Sequence, residues 1–342
     1  MHMADALLSP AVGLTMCAIS VAAVGVSVAR VKKDELGENK IPVIGVSGAM
    51  VFAAQMINFS IPGTGSSGHI GGGILLAGLL GGIPAFLSIT VVLIIQCLLF
   101  ADGGLLALGC NIFNLGVIPC LLVYPILFRP IVKSGASYRR LSAASITSTI
   151  IALLLGAFCV VLQTQISGIS MLPFGAFATL MLPIHFVIGI VEGVVTAAAL
   201  CFVYKMRPEI INTAHSGEKM GGAGVKNVVI ALAALAVIAG GALSLFSSKD
   251  PDGLEWAISK TAQQAGEEGE ARASEDSITG AAASIQESTA ILPDYTLKGD
   301  AENPAGTSIA GILGAAATFV LAVATGLIIS FAKKRKRVVA DG

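Results

Sequence analysis

Long apolar runs, separated by short polar or glycine-rich stretches, dominate this chain from end to end. A helix needs about 20 predominantly apolar residues to cross a hydrocarbon core of about 30 Å. Runs of that order fall at 10–29, 42–58, 69–82, 84–100, 112–130, 143–163, 177–204, 227–246 and 307–332, nine in all. The third is short and glycine-rich (Gly71 to Gly73, Gly78, Gly81, Gly82), so its boundary with the fourth is the least defined. The pattern predicts an all-α fold, a polytopic transmembrane helical bundle of about seven plus two spans.

Composition supports lipid as the main solvent. Of 342 residues, 55% are hydrophobic and only 12% charged, where a soluble domain keeps about a quarter charged. Forty glycines suit closely packed membrane helices. Six cysteines lie in or beside apolar runs without a CxxC pair, so they are expected to be buried small side chains rather than a disulfide framework.

The charges are balanced overall but polarised along the chain. Residues 249–302 carry twelve acidic and four basic side chains, a local net charge of −8. The other seventeen basic residues form four clusters, at 30–40, 129–140, 205–226 and 333–337. Lys and Arg collect on the cytoplasmic side of membranes. Nine spans with the N-terminus outside put all four clusters inside, the acidic segment outside and the C-terminus in the cytoplasm. The first ten residues carry no basic region or small-residue cleavage site, so they are expected to survive in the mature protein. Because His2 is large, Met1 is expected to stay.

Residues 1–206 then hold seven spans. The stretch 207–226, with Gly217, Gly221, Gly222 and Gly224, is expected to be a flexible cytoplasmic linker. Residues 227–342 form a two-span hairpin with an acidic exterior loop at 247–305, for which local helix and disorder are both open.

Ionisable and metal-binding side chains at membrane depth are functional candidates by default. The start Met1-His2 offers three nitrogens in a row: the α-amine, the His2 amide and its imidazole. The amine's reference pKa of about 7.7–8.0 lets a metal displace its proton near neutrality. Ni²⁺ and Cu²⁺ favour the tetragonal nitrogen geometry such a chelate allows. A free N-terminal histidine is the plainer alternative, and both stand. His69 closes the loop Pro62-Gly-Thr-Gly-Ser-Ser-Gly-His69 on the same expected outer face, where it is either a fourth nitrogen or part of a helix-capping loop. Ser66 and Ser67 are candidates to orient it.

His185 and Glu192 stand seven residues apart in the seventh run, on one helical face. They suggest either a mutually supporting polar pair or, functionally, an ion relay or a second metal site. Asn111 and Asn114 are candidate interhelical hydrogen-bonding groups or site supports. His215, among charged residues of the linker, is expected to be solvated and idle. No GxxxxGK[ST], HExxH or GxSxG motif occurs, so neither ATP hydrolysis nor those hydrolase chemistries are expected of this chain.

Four ordered motifs over 1–206 resemble the CbiM/NikM family, the substrate-capturing membrane subunits of cobalt and nickel energy-coupling-factor (ECF) ABC transporters. They are Met1-His2, the loop 62–69, Ala101-Asp-Gly-Gly through Asn111-Ile-Phe-Asn114, and His185-Phe-Val-Ile-Gly-Ile-Val-Glu192-Gly. The segment Pro251-Asp-Gly-Leu-Glu-Trp256 resembles the small two-span CbiN/NikN-like accessory subunit found fused in some members. The resemblance implies a Co²⁺ or Ni²⁺ cargo held by the amine of Met1, the amide and imidazole of His2, and His69. It also implies a coupling membrane subunit, cytoplasmic ATPase partners and a place in a prokaryotic cell membrane, with no resident cofactor and no nucleic-acid partner. One departure is notable: family members often continue Ile-Pro-Asp/Glu-Gly after Met-His, where this chain has Met3-Ala4-Asp5-Ala6, which bears on how the strand folds back. The competing classes are a non-transporting membrane scaffold and, further off, an intramembrane enzyme using His185 and Glu192.

Overall fold

The computed structural model describes residues 2–31, 40–170, 172–216, 225–265, 277–297, 299–300 and 303–340. Met1 and the linker glycines 217, 221, 222 and 224 lie outside the described residues. Helices account for nearly all the ordered structure. In chain order they are α1 (Pro10–Arg30), α2 (Ile41–Gln55), α3 (Gly73–Leu80), α4 (Gly82–Phe100), α5 (Leu108–Lys133), α6 (Tyr138–Ser167), α7 (Phe174–Met206), α8 (Pro208–Ser216), α9 (Lys226–Gly241), α10 (Gly253–Ala265), α11 (Ser277–Thr289) and α12 (Pro304–Ala340). A single hairpin pairs β1 (Phe59–Ile61) with β2 (Ser66–Gly68), Ser60 opposite Ser67.

Seven of these helices are long and apolar enough to cross a bilayer, and the protein is a multi-pass membrane protein. Two of the nine expected spans differ in form. The run at 42–58 gives only the 15-residue α2, and the run at 69–82 gives only the 8-residue α3. At 1.5 Å per residue, α3 advances about 12 Å. The reason lies in the backbone before it. Gly72 adopts φ +77°, and a Cβ there would fall 2.3 Å from Val51, so the backbone is non-helical through Gly72 and the helix starts only afterwards. This third passage is therefore half loop and half helix, set among the middle turns of α5 and α7.

α2 is buried along almost its whole circumference, as a helix apolar on every side must be. It lies between α4, α9 and α12. Close seats make this possible: a Cβ on Gly45 would meet Val323 at 2.5 Å, and one on Gly314 the Phe52 ring at 2.0 Å. α9 and α12 touch backbone to backbone at Gly240 and Gly311, the small-residue packing usual where lipid gives no hydrophobic drive between helices. α5 is wound as a π-helix over Phe113–Phe128, with Pro119 and Pro125 inside it. Each proline lacks an amide hydrogen and crowds the preceding turn, and the wider winding accommodates both. Large apolar side chains stand exposed on the outer faces, among them Val21, Phe186, Val237 and Ile328, where lipid covers them.

The stretch expected to be a flexible linker begins instead as α8. Ile210, Ile211, Thr213 and His215 are buried in it, and the His215 ring meets the Tyr124 hydroxyl at 2.9 Å. His215 is thus a packed histidine, not a solvated one. Burial, reinforced by Arg129, pushes its imidazole down to about 4. In the acidic loop the described residues include two helices, α10 and α11, with non-helical stretches before the one and after the other.

Candidate metal site

The N-terminal segment turns back into the bundle through main-chain hydrogen bonds. Met3 is fully buried. Its N–H donates to Asn111 Oδ1 at 2.8 Å, and its carbonyl accepts from Asn111 Nδ2 at 3.2 Å and from the Gly104 N–H at 2.9 Å. One turn of 3-10 helix follows at Asp5–Leu7, and the Asp5 carboxylate accepts the Ala107 N–H at 2.8 Å. The fold-back is therefore made with Met3-Ala4-Asp5-Ala6 after His2. Asn114 serves the interhelical role instead, exchanging amide hydrogen bonds with Gln163 of α6 at 2.8 and 3.1 Å.

The loop that brings His69 is held from the other side. The Glu192 carboxylate, 2% exposed on α7, accepts the N–H groups of Gly71 at 2.8 Å and Gly72 at 2.9 Å. The Gly71 carbonyl accepts from Gln55 Nε2 at 2.9 Å, and Gln55 is in turn bonded by Gln96. Non-helical backbone at membrane depth is tolerated where such partners satisfy it. His185 and Glu192 share a face but not a bond. His185 Nδ1 meets the Met181 carbonyl at 2.8 Å, and its ring lines a small void beneath His69 together with Gly71 and Ile188. The expected polar pair is replaced by two separate side chain to main chain contacts.

These two supports bring His2 and His69 face to face. Their rings stack with centroids 5.2 Å apart and 7° between planes. His2 Nδ1 lies 3.3 Å from Asp102 Oδ1, and His69 Nε2 lies 3.7 Å from Asp252 Oδ2. His2 is buried, and burial pushes its imidazole down to about 4 against the raising influence of Asp102. The ring is therefore neutral near pH 7 and has a lone pair to give. Its Nε2 is buried without a hydrogen-bond partner. Among the described residues, no group of three or more His, Cys, Asp or Glu side chains is arranged to hold a metal ion. Two imidazoles alone do not make a closed site.

Sequence reasoning did not single out Asp102 or Asp252, and it misjudged Ser66 and Ser67. The serines do not orient His69. Ser67 Oγ donates to the Asp250 carbonyl at 2.8 Å, its N–H donates to the Pro251 carbonyl at 2.8 Å, and Ser66 Oγ reaches the same Pro251 carbonyl at 3.4 Å. They dock the 250–252 segment alongside β2. Asp252 then starts α10 with a reciprocal cap: Oδ1 accepts the N–H groups of Leu254 and Glu255 at 2.8 and 2.9 Å, and Glu255 accepts the Asp252 N–H at 3.1 Å. This is the capping-box arrangement, and the Asp-x-x-Glu spacing was the available signal. Burial would raise the Asp252 carboxyl, but the charge and hydrogen bonding of its neighbours, His69 among them, hold it well below the usual carboxylate range.

A second arm of the same loop reaches the other side of the site. Gln286 donates to the Gly103 carbonyl at 2.7 Å, the Ile291 N–H donates to the Leu99 carbonyl at 3.0 Å, and the Tyr295 hydroxyl donates to Asp102 Oδ2 at 2.5 Å. Between the two arms opens a cavity of about 700 Å³, lined by both histidines and by Asp102, Asp250, Asp252 and Glu255.

Comparison with known proteins fits this arrangement. Residues 2–210 match the CbiM family, described as the cobalt uptake substrate-specific transmembrane region. The chain belongs to the CbiM family. Residues 226–331 match the PDGLE domain, so the two parts are fused in one polypeptide, as in the NikMN arrangement. A protein of Archaeoglobus fulgidus, named for fused nickel transport as NikMN, is 32% identical over 328 residues, covering 95% of this chain and 97% of its own. The cobalt transport protein CbiM of Sorangium cellulosum is 31% identical over 172 residues, covering 50% of this chain and 76% of its own. The crystal structure of a truncated transition metal transporter superposes with a TM-score of 0.53 at 27% identity, covering 60% of this chain and 99% of that one.

Proposed function

We propose that this CbiM-family chain is the metal-capturing membrane subunit of an ATP-driven importer for Ni²⁺ or Co²⁺. The observation that carries the reading is the stacked pair His2 and His69, each delivered by a separately braced main-chain segment. The neutral His2 imidazole gives its lone pair without first losing a proton. The α-amine of Met1 and the amide of His2 supply the remaining nitrogens, with protons released as the ion binds. Four nitrogens suit late first-row divalent ions, whereas Mg²⁺ and Ca²⁺ require oxygen ligands. The protein works as a transporter rather than an enzyme. In this reading the N-terminal face is exterior, and the ATP is hydrolysed by cytoplasmic partner subunits joined through a membrane coupling subunit.

Metal titration of the detergent-purified chain with its native N-terminus tests this directly. Ni²⁺ and Co²⁺ should each bind one to one, and binding should be lost in His2→Ala, in His69→Ala and in a version with residues added before Met1. Retained binding with a blocked N-terminus would refute the chelate. Absence of binding in the unmodified chain would favour a membrane scaffold without cargo.

A further inference from the structure

We infer that Asp252, contributed by the accessory hairpin, is a loading residue: a transient oxygen ligand that takes the hydrated divalent cation from the cavity and passes it to His69. This rests on the reading of His2 and His69 given above. Asp252 has one carboxylate oxygen committed to the start of α10 and the other turned to His69 Nε2 at 3.7 Å. The split use matters. The Oδ1 bonds fix the carboxylate in place, so Oδ2 meets the ring nitrogen from a defined position.

The neighbouring carboxylates are engaged otherwise. Asp250 Oδ2 accepts from Ser60 and Ser248 at 3.0 and 3.1 Å, and Glu255 Oε2 accepts the Asp252 N–H. Asp102 stands at His2, its other oxygen held by Tyr295. Asp252 lines this cavity and stands at His69 Nε2, so it joins the open space to His69. His2 lines the same cavity, and its buried Nε2 has no hydrogen-bond partner.

The chemistry is ligand exchange. A hydrated transition-metal ion is first met by the hard oxygen donor, to which it gives up a water. The imidazole nitrogen of His69 then displaces the carboxylate oxygen, because late first-row ions prefer nitrogen. No redox step is involved, and only water and the carboxylate leave the ion.

Asp252→Ser and Asp252→Asn separate loading from folding, since Ser and Asn are good helix caps but carry no charge. Trp256, the single tryptophan, reports whether the segment remains docked, because its Nε1–H donates to the Thr64 carbonyl at 2.9 Å. Stopped-flow Ni²⁺ capture by the full chain should show an association rate about tenfold or more slower in both variants, the lower end of what charged clefts contribute. The dissociation rate and Trp256 emission should be unchanged. An unaltered association rate overturns the proposal. So does slowed capture accompanied by shifted Trp256 emission, which would place the effect in the docking of the segment. His2→Ala and His69→Ala are measured alongside. If they bind as the parent does, the metal site itself is misassigned; if they fail while the Asp252 variants load normally, only the loading role falls.

Discussion

Glu192 makes the clearest quantitative case. It is a buried carboxylate whose two oxygens receive the N–H groups of Gly71 and Gly72, two and three residues after His69. Glu192→Gln keeps the volume and one acceptor oxygen but turns an amide NH₂ toward the second N–H. One charge-assisted hydrogen bond is lost, with a contribution of about 1.5–3 kcal/mol, and a buried donor is left facing a donor. Gln55 still holds the Gly71 carbonyl, so the loop shifts rather than unfolds. If metal binding requires the observed placement of His69, a net ~2–3 kcal/mol appears as Ni²⁺ affinity weaker by about 30- to 150-fold. Isothermal titration of the purified variant, with a thermal unfolding curve to verify that the bundle persists, measures it. A variant that is folded and binds Ni²⁺ within about threefold of the parent would refute the claim that Glu192 sets the His69 loop.

Two further outcomes follow from other supports. Asn111→Ala removes the acceptor of the buried Met3 N–H and one of the two donors to its carbonyl, which keeps the Gly104 N–H; with one unsatisfied group at ~1–3 kcal/mol, titration should show Ni²⁺ binding weakened by about fivefold or more while the remaining helices stay folded. His215 is held neutral, its pKa lowered to about 4; the unfolded state therefore takes up a proton first as pH falls. The docking of α8 should be full above pH 6.5 and weaken progressively toward pH 4, by up to ~3 kcal/mol, seen as faster hydrogen exchange at 208–216 at pH 5 than at pH 7.5 and abolished in His215→Gln.

The apolar runs located every principal helix, because lipid imposes a length rule that is visible one segment at a time. The exceptions have local causes. The run at 69–82 looked like a span, but its first residues stay out of the helix, with a positive φ at Gly72 and two N–H groups given to Glu192. That acceptor lies about 120 positions away, and no local periodicity points to it. His185 and Glu192 were correctly placed on one face, yet helical spacing says only that two side chains look the same way. His2 and His69, whose rings the structure brings together, stood out in the sequence because one follows the first residue and the other ends a Gly-Pro loop. Asp252 stood inside a quoted motif, but in a segment of net charge −8 only its Asp-x-x-Glu spacing set it apart, and that spacing marks a helix cap rather than a neighbour of His69. His215 was misjudged from the polar residues beside it, although Pro208 opening a helix and the pair Ile210-Ile211 were available signs of a packed turn.

The glycine seats between α2 and the accessory helices have an implication for assembly. Gly45 admits Val323 and Gly314 admits Phe52, so recognition between the two parts is written as shape inside the bilayer. The two loop arms add main-chain bonds at Ser67 and Leu99. None of these contacts depends on the two parts being one polypeptide. The fusion then contributes effective concentration and fixes the stoichiometry at one to one. Cut between α8 and α9, the halves would meet by diffusion in the membrane plane and find the same register, at the cost only of how often they are together.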